Sequence, residues 1–180
     1  ANIDILRDIY VFLEDRLTEG SNGKLCLSPS TSPETRFVHQ GEYCSVTATA
    51  AMDLQIIEDY LLYMTELETL LGCSTEKYDR MRLALAPLQI SSDGRLLEYG
   101  EDLEETPDCH QHLSHLYGIY PGTSIQPGTE LFCAARKALD DRMNRGGGVN
   151  GWANIWTGIC YAQFGDGENA NARLRFMETD

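Results

Sequence analysis

The chain has 180 residues, 42% of them hydrophobic, with 14 Lys and Arg against 28 Asp and Glu for a net charge of −14. That length supports one domain with a sizeable core, and that charge repels phosphate backbones and anionic lipids, so neither nucleic acid nor a membrane is expected as a partner. No apolar run approaches the roughly 20 residues that span a bilayer, and no signal-peptide pattern opens the chain; it begins on Ala1, as expected of a piece of a longer polypeptide.

The stretch from Ile3 to Leu17 predicts an amphipathic helix, with Ile3, Leu6, Ile9, Tyr10, Leu13 and Leu17 at helical spacing. "EGSNG" then turns the chain. From Cys26 to Glu42 there is no periodicity, and Pro29 and Pro33 forbid a continuing helix, which predicts an irregular loop of a length that usually carries function. Thr49 to Leu71 is apolar on nearly every side, the pattern of a helix buried in a larger helical body, and Gly72 stops it. A short helix follows from Glu76 to about Leu85, then a small hairpin in "PLQISSDGRLLEYGED" around Asp93-Gly94. Thr129 is placed to cap a helix running to about Met143, with Leu131, Ala135, Ala138 and Leu139 on one face. Gly146-Gly147-Gly148 ends it. Asn150 to Phe164 forms another, striped with Trp152, Ile155, Trp156 and Ile159, and a last short helix starts near Asp166. With no sustained β alternation, the expected fold class is all-α with a small hairpin and long loops. The six cysteines, Cys26, Cys44, Cys73, Cys109, Cys133 and Cys160, show no C-x-x-C pair and are expected as buried free thiols.

"CHQHLSHLYGIYPG" holds three of the four histidines, His110, His112 and His115. Three readings compete. A metal site needs convergence, yet residues i and i+2 of a helix point to different sides, and neither H-E-x-x-H nor a cysteine pair supports it. Ordinary buried histidines are the second. The third is a pocket for a neutral polar ligand, because a neutral imidazole both donates to and accepts from a hydroxyl.

The third reading gains from the surrounding blocks. "HQHLSHLYGIYPGTSI" resembles the H-R-H-x-S-H-L-Y-G-L-Y-P-G signature of the glycoside hydrolase family 95 α-L-fucosidases. "SPSTSPET" at 28–35 is similar to that family's S-P-S-x-S-P-E-N loop, "AMDLQIIEDY" at 51–60 to its T-M-D-x-Q-I-I helix, and "LAPLQISSDGRLLEY" at 85–99 to its L-P-x-Q-I-x-x-x-G-x-L-x-E-W segment. "GVNGWANIW" and "FGDGENA" resemble its closing G-x-T-G-W-S-x-x-W and L-x-D-G-x-x-A elements. The resemblance implies that residues 1–180 form the carboxy-terminal part, about half, of a catalytic (α/α)6 barrel, its early helices and preceding β-rich domain unmatched. It also implies inverting hydrolysis of terminal α-L-fucosyl or related L-sugar linkages, a fucosylated oligosaccharide as partner, neither cofactor nor metal, and, as in bacterial members, an extracellular or periplasmic location.

Residue by residue, Glu34 matches the glutamate of S-P-E, the general acid, for which an enclosed setting helps to retain a proton. The family's base is a water held by two asparagines, which the resemblance places upstream, and polarised by an aspartate. In "RGGGVNGW", Gly147 stands where that aspartate is expected and Asn150 where threonine is. His112 matches a sugar-contacting histidine, with His110 and Gln111 beside it; Gln111 replaces an arginine and loses its fixed donors and charge. Trp152 offers an apolar face to a sugar ring, or packs in the core with Trp156. Asp53 and Glu98 lie in matched blocks, as sugar contacts or as helix-surface and hairpin charges. These expectations leave the chain alone a poor catalyst or none, with a non-catalytic carbohydrate-binding or scaffold remnant as the alternative and a metal hydrolase using the three histidines as the weaker one. They also predict loops 26–42, 110–115 and 146–152 gathered at one end, and open flanks covered by self-association or by a missing N-terminal portion of the same chain.

Overall fold

The computed structural model describes residues 3–106, 111–148 and 150–176. Six helices carry the architecture: α1 (Ile3–Arg16), α2 (Ala51–Leu70), α3 (Glu76–Ala84), α4 (Glu130–Asn144), α5 (Gly151–Gln163) and α6 (Gly167–Phe176). Each begins within two residues of its sequence signal, and α1 to α5 also end within two. Thr129 accepts from the Phe132 amide and Asn150 from the Ala153 amide, so α4 and α5 open on the side-chain caps their sequences carry. Asp166 does the same for the Asn169 amide at the start of α6.

The all-α expectation needs one correction. Five short strands join the helices: β1 (Leu17–Glu19), β2 (Leu25–Leu27), β3 (Phe37–His39), β4 (Glu42–Cys44) and β5 (Glu104–Glu105). β1 and β2 form one antiparallel pair, and β4-β3-β5 a small second sheet. The stretch expected as irregular from Cys26 to Glu42 therefore holds one whole strand, β3, the end of β2 and the start of β4. Its tight turn at Gln40-Gly41 has positive φ at both residues, the two-residue geometry that matches strand twist. Conversely, the hairpin expected around Asp93-Gly94 is reduced to one bridge, Ile90 to Leu96. The Ser91 amide donates to the Arg95 carbonyl and the Leu97 amide to the Gln89 carbonyl on either side of it, while the Leu96 amide points outward to the Ala134 carbonyl of α4 at 3.0 Å.

Apolar side chains collect into two clusters. Tyr10 and Leu13 of α1 meet Ile57, Leu61 and Met64 of α2 and Tyr78 and Met81 of α3. Leu113, Leu116, Ile119 and Ile125 meet Ala135, Ala138 and Leu139 of α4, Cys160 and Tyr161 of α5, and Ala170 of α6. Gln55 of α2 links the two sides: buried completely, it donates to the His115 carbonyl and accepts from the Gly118 amide. The α5 stripe turned out reversed. Small residues, Ala153, Asn154, Thr157 and Gly158, are buried, whereas Trp152 and Ile155 face outward. α2 likewise buries one face and exposes Ile56, Tyr63 and Leu70 on the other. Cys26 and Cys160 are buried thiols as expected, but Cys73 and Cys133 are exposed; Cys109 lies outside the described residues. Among the described residues no helix is long and apolar enough to cross a membrane.

Candidate active site

Three loops meet at one end of the helices. The first, 28–35, is tied down at Ser30, whose hydroxyl donates to Asp53 Oδ2 at 2.6 Å and accepts from the Ala50 amide at 2.8 Å. Asp53 thus fastens this loop to the first turn of α2. Burial pushes its carboxyl upward, against the lowering effect of the Ser30 hydrogen bond. Five residues further, Thr35 pairs with the Tyr99 hydroxyl at 2.8 Å, and burial pushes that phenol up to about 12.

The second loop leads into the helical turn Ser114–Leu116. Ser114 Oγ donates to the Pro33 carbonyl at 2.7 Å, and the Glu34 amide donates to His112 Nδ1 at 3.0 Å. The Glu34 carboxylate itself reaches within 4.0 Å of that nitrogen and is 71% exposed. The enclosed setting expected for it is therefore lacking in this chain. A nitrogen that accepts cannot carry the proton, so this bond assigns the His112 proton to Nε2.

The third loop brings α5. The Trp152 ring stacks on His112, centroids 4.9 Å apart and 30° between planes, and on Trp156 at 5.4 Å. Trp152 is 44% exposed, so its place is at the surface beside His112 rather than in the core. Asn150 caps α5 with its oxygen and donates through Nδ2 to Gln111 Oε1. His110 lies outside the described residues. At Gly147 the backbone folds onto the end of α4: its amide donates to the Arg142 carbonyl at 3.0 Å, and a Cβ there would stand 2.9 Å from that oxygen and 2.8 Å from Met143 Cε. Space for an aspartate is not simply vacant at this position.

Glu98 differs most from expectation. Its side chain is 2% exposed, and protein partners take both oxygens: Ser32 Oγ donates to Oε1 at 2.5 Å and Arg142 Nη2 to Oε2 at 2.6 Å. His115 Nδ1 lies 3.1 Å from the same Oε2, close enough for charge attraction though off the line of a hydrogen bond. A sugar has no approach to this carboxylate. Burial alone would raise it, but His115, Arg142 and Ser32 together hold it well below the usual carboxylate range. His112 and His115 thus serve different partners, and among the described residues no three His, Cys, Asp or Glu side chains converge as metal ligands would.

Sequence reasoning passed over Arg142, Ser32 and Ser114. Arg142 had a signal: it continues the buried face Ala135, Ala138, Leu139 at the next helical step, so a charge there had to be either exposed or paired.

A cavity of about 470 Å³ is lined by Arg95, Glu101, Glu105, Asp141 and Arg145 among others. Glu34, His112 and Trp152 do not line it.

Glu98 has a counterpart in the other apolar cluster. Glu68 accepts from Arg7 at 2.7 and 2.8 Å, and that pairing holds it down to about 2. A carboxyl lowered by folding contributes fully above its unfolded value and loses that contribution as pH falls through the folded value. Stability is therefore expected to be complete above the ordinary glutamate value of 4.5 and to decline below it, down to about 2 for Glu68 and lower still for Glu98. A calorimetric melting series through this window checks it; a melting temperature that stays level or rises throughout contradicts it.

An acid-bearing loop, a histidine and an aromatic face thus meet beside packed helices, and comparison with known proteins gives the chain a family. Residues 1–179 match the Glycosyl hydrolase family 95 catalytic domain, and the chain belongs to that family. It is 33% identical over 173 residues to Alpha-L-fucosidase 2 of Arabidopsis thaliana, covering 92% of this chain and 20% of that protein. Similarity to the Probable alpha-fucosidase A of Aspergillus oryzae is 28% over 177 residues, 87% of this chain and 22% of that protein. With the Probable alpha-fucosidase A of Aspergillus niger it is 32% over 98 residues, 52% of this chain and 12% of that protein. The chain thus spans about a fifth of the length of the first of these relatives.

Proposed function

We propose that these residues are the carboxy-terminal portion of a single catalytic domain, about half of an (α/α)6 barrel, in an α-L-fucosidase that cleaves terminal fucosyl linkages of oligosaccharides with inversion. Glu34 is the general acid. His112, with Gln111 and His110 beside it, contacts the sugar, Trp152 lines its apolar face, and Asn150 and Asp53 hold the flanking loops. The observation that carries this reading is the Glu34 amide bond to His112 Nδ1 under the stacked Trp152 ring. It draws together an acid and two sugar-facing groups from segments 78 residues apart. The names of the fucosidase relatives support the substrate class.

In an inverting mechanism the acid protonates the leaving oxygen while a base on the opposite ring face activates water. Gly147 supplies no carboxylate for that water, and the exposed Glu34 lacks the shielding an acid needs. The isolated chain is therefore expected to turn over an aryl α-L-fucoside very poorly or not at all, since a missing acid or base partner alone costs about 10²–10⁴-fold. Robust turnover abolished by Glu34→Gln would overturn this and give the base role to another carboxylate, with Asp53 the first to test. The close packing around Gly147 favours a second reading, a non-catalytic carbohydrate-binding remnant of such an enzyme. Fucose binding without turnover, unaltered by Glu34→Gln, would select it.

A further inference from the structure

We propose that Arg142, acting through Glu98, is the positioning residue of this site, holding the loop that carries Glu34 in register with the segment that carries His112; this rests on the reading of Glu34 and His112 given above. Arg142 sits near the end of α4, 3% exposed, where water cannot substitute for its partners. Its Nη2 donates to Glu98 Oε2 at 2.6 Å, and Glu98 Oε1 accepts from Ser32 Oγ, two residues ahead of Glu34. Its Nη1 donates to the His112 carbonyl at 2.8 Å. The Ser114 hydroxyl on the Pro33 carbonyl closes this circuit from the other side.

The third loop is joined to the same residue. The Arg142 carbonyl accepts from the Gly147 amide, and its Cγ would lie 3.0 Å from a Cβ on Gly147. One planar guanidinium, with donors at fixed angles, thus sets the spacing between the acid loop and the histidine, while the backbone of the same residue anchors the glycine loop. A lysine ammonium offers no such fork. Arg142 reaches no reacting atom, so it positions rather than catalyses.

The Arg7–Glu68 pair is the internal control: it ties α1 to α2 and touches none of the three loops. Nitrogen-15 NMR of the 180-residue chain reads the Glu34 amide and the His112 ring nitrogens, where an accepting Nδ1 has a distinct shift. In Arg142→Met/Glu98→Gln, which leaves no carboxylate or guanidinium of the pair behind, that signature is expected to vanish and any shift of the Trp152 indole by L-fucose to need about tenfold more sugar. Arg142→Lys should fall between the two. Arg7→Met/Glu68→Gln should lower the melting temperature with the Glu34 and His112 signals in place. A folded Arg142→Met/Glu98→Gln chain with wild-type Glu34 and His112 shifts overturns the proposal. If that variant does not fold, Arg142→Lys decides alone: altered signals support the role and unchanged signals refute it. Should the signature vanish while L-fucose perturbs not even the unmodified chain, the positioning role stands and the fucoside reading fails instead.

Discussion

Glu98→Gln is expected to destabilise the chain by about 3–5 kcal/mol, the cost of leaving one member of a buried ion pair without its counter-charge. The amide keeps the shape, so little packing is lost, but its single oxygen can serve Ser32 or Arg142 and not both. What remains is the Arg142 guanidinium, buried and facing a neutral oxygen, with His115 beside it. Arg142→Met alone leaves the mirror-image problem, an unpaired buried carboxylate. The two together remove both charges, and the double variant should recover most of the loss, because a buried pair replaced by neutral groups of similar volume is often nearly neutral in stability. Denaturant melts of the three variants measure the coupling. Two additive losses would mean that the pair is solvated and that the three loops are held by something else.

The second large effect is association. Phe12 is 60% exposed and continues a stripe with Ile5 and Ile9 on α1, while Leu70, 78% exposed, continues one with Ile56 and Tyr63 on α2. Covering each such side chain is worth about 1.5–3 kcal/mol, so a surface that buries several has a strong drive to find a partner. The isolated chain is expected to elute and scatter light as a dimer or larger species in a concentration-dependent way. Phe12→Lys with Leu70→Lys should return it toward the monomer without lowering its melting temperature. A monomer at every concentration, with no uptake of an apolar dye, would show that these faces need no cover and would remove the main physical reason for reading the chain as half of a barrel.

Much of this was legible in the sequence, because helices announce themselves through local spacing and caps. Thr129, Asn150 and the glycine stops fixed element ends without tertiary knowledge. The small sheets were not legible: strands of two or three residues carry too few alternations to register. The outward face of α5 was misread for a different reason. Periodicity shows that a helix is two-sided, but Gly158 lies against Ala170 and Arg173 of α6, an approach a small residue admits, and Trp152 and Ile155 are left outside while Trp156 stays half-buried. Glu98 looked like a hairpin charge since its partners, Ser32 and Arg142, lie 66 and 44 residues away along the chain. Motif order located Glu34, His112 and Trp152, while only their packing shows what holds them.

Titration of the 180-residue chain with L-fucose, followed through the Trp152 indole and His112 ring signals, tests the fucoside site most directly. Both signals should shift together and saturate at millimolar sugar. His112→Ala should abolish the Trp152 response while the chain still melts cooperatively, with a loss of about 1 kcal/mol for the hydrogen bond and ring contact removed. A fucose response absent from both signals, or one that survives His112→Ala unchanged, would contradict the assignment of this acid, histidine and tryptophan to a sugar site.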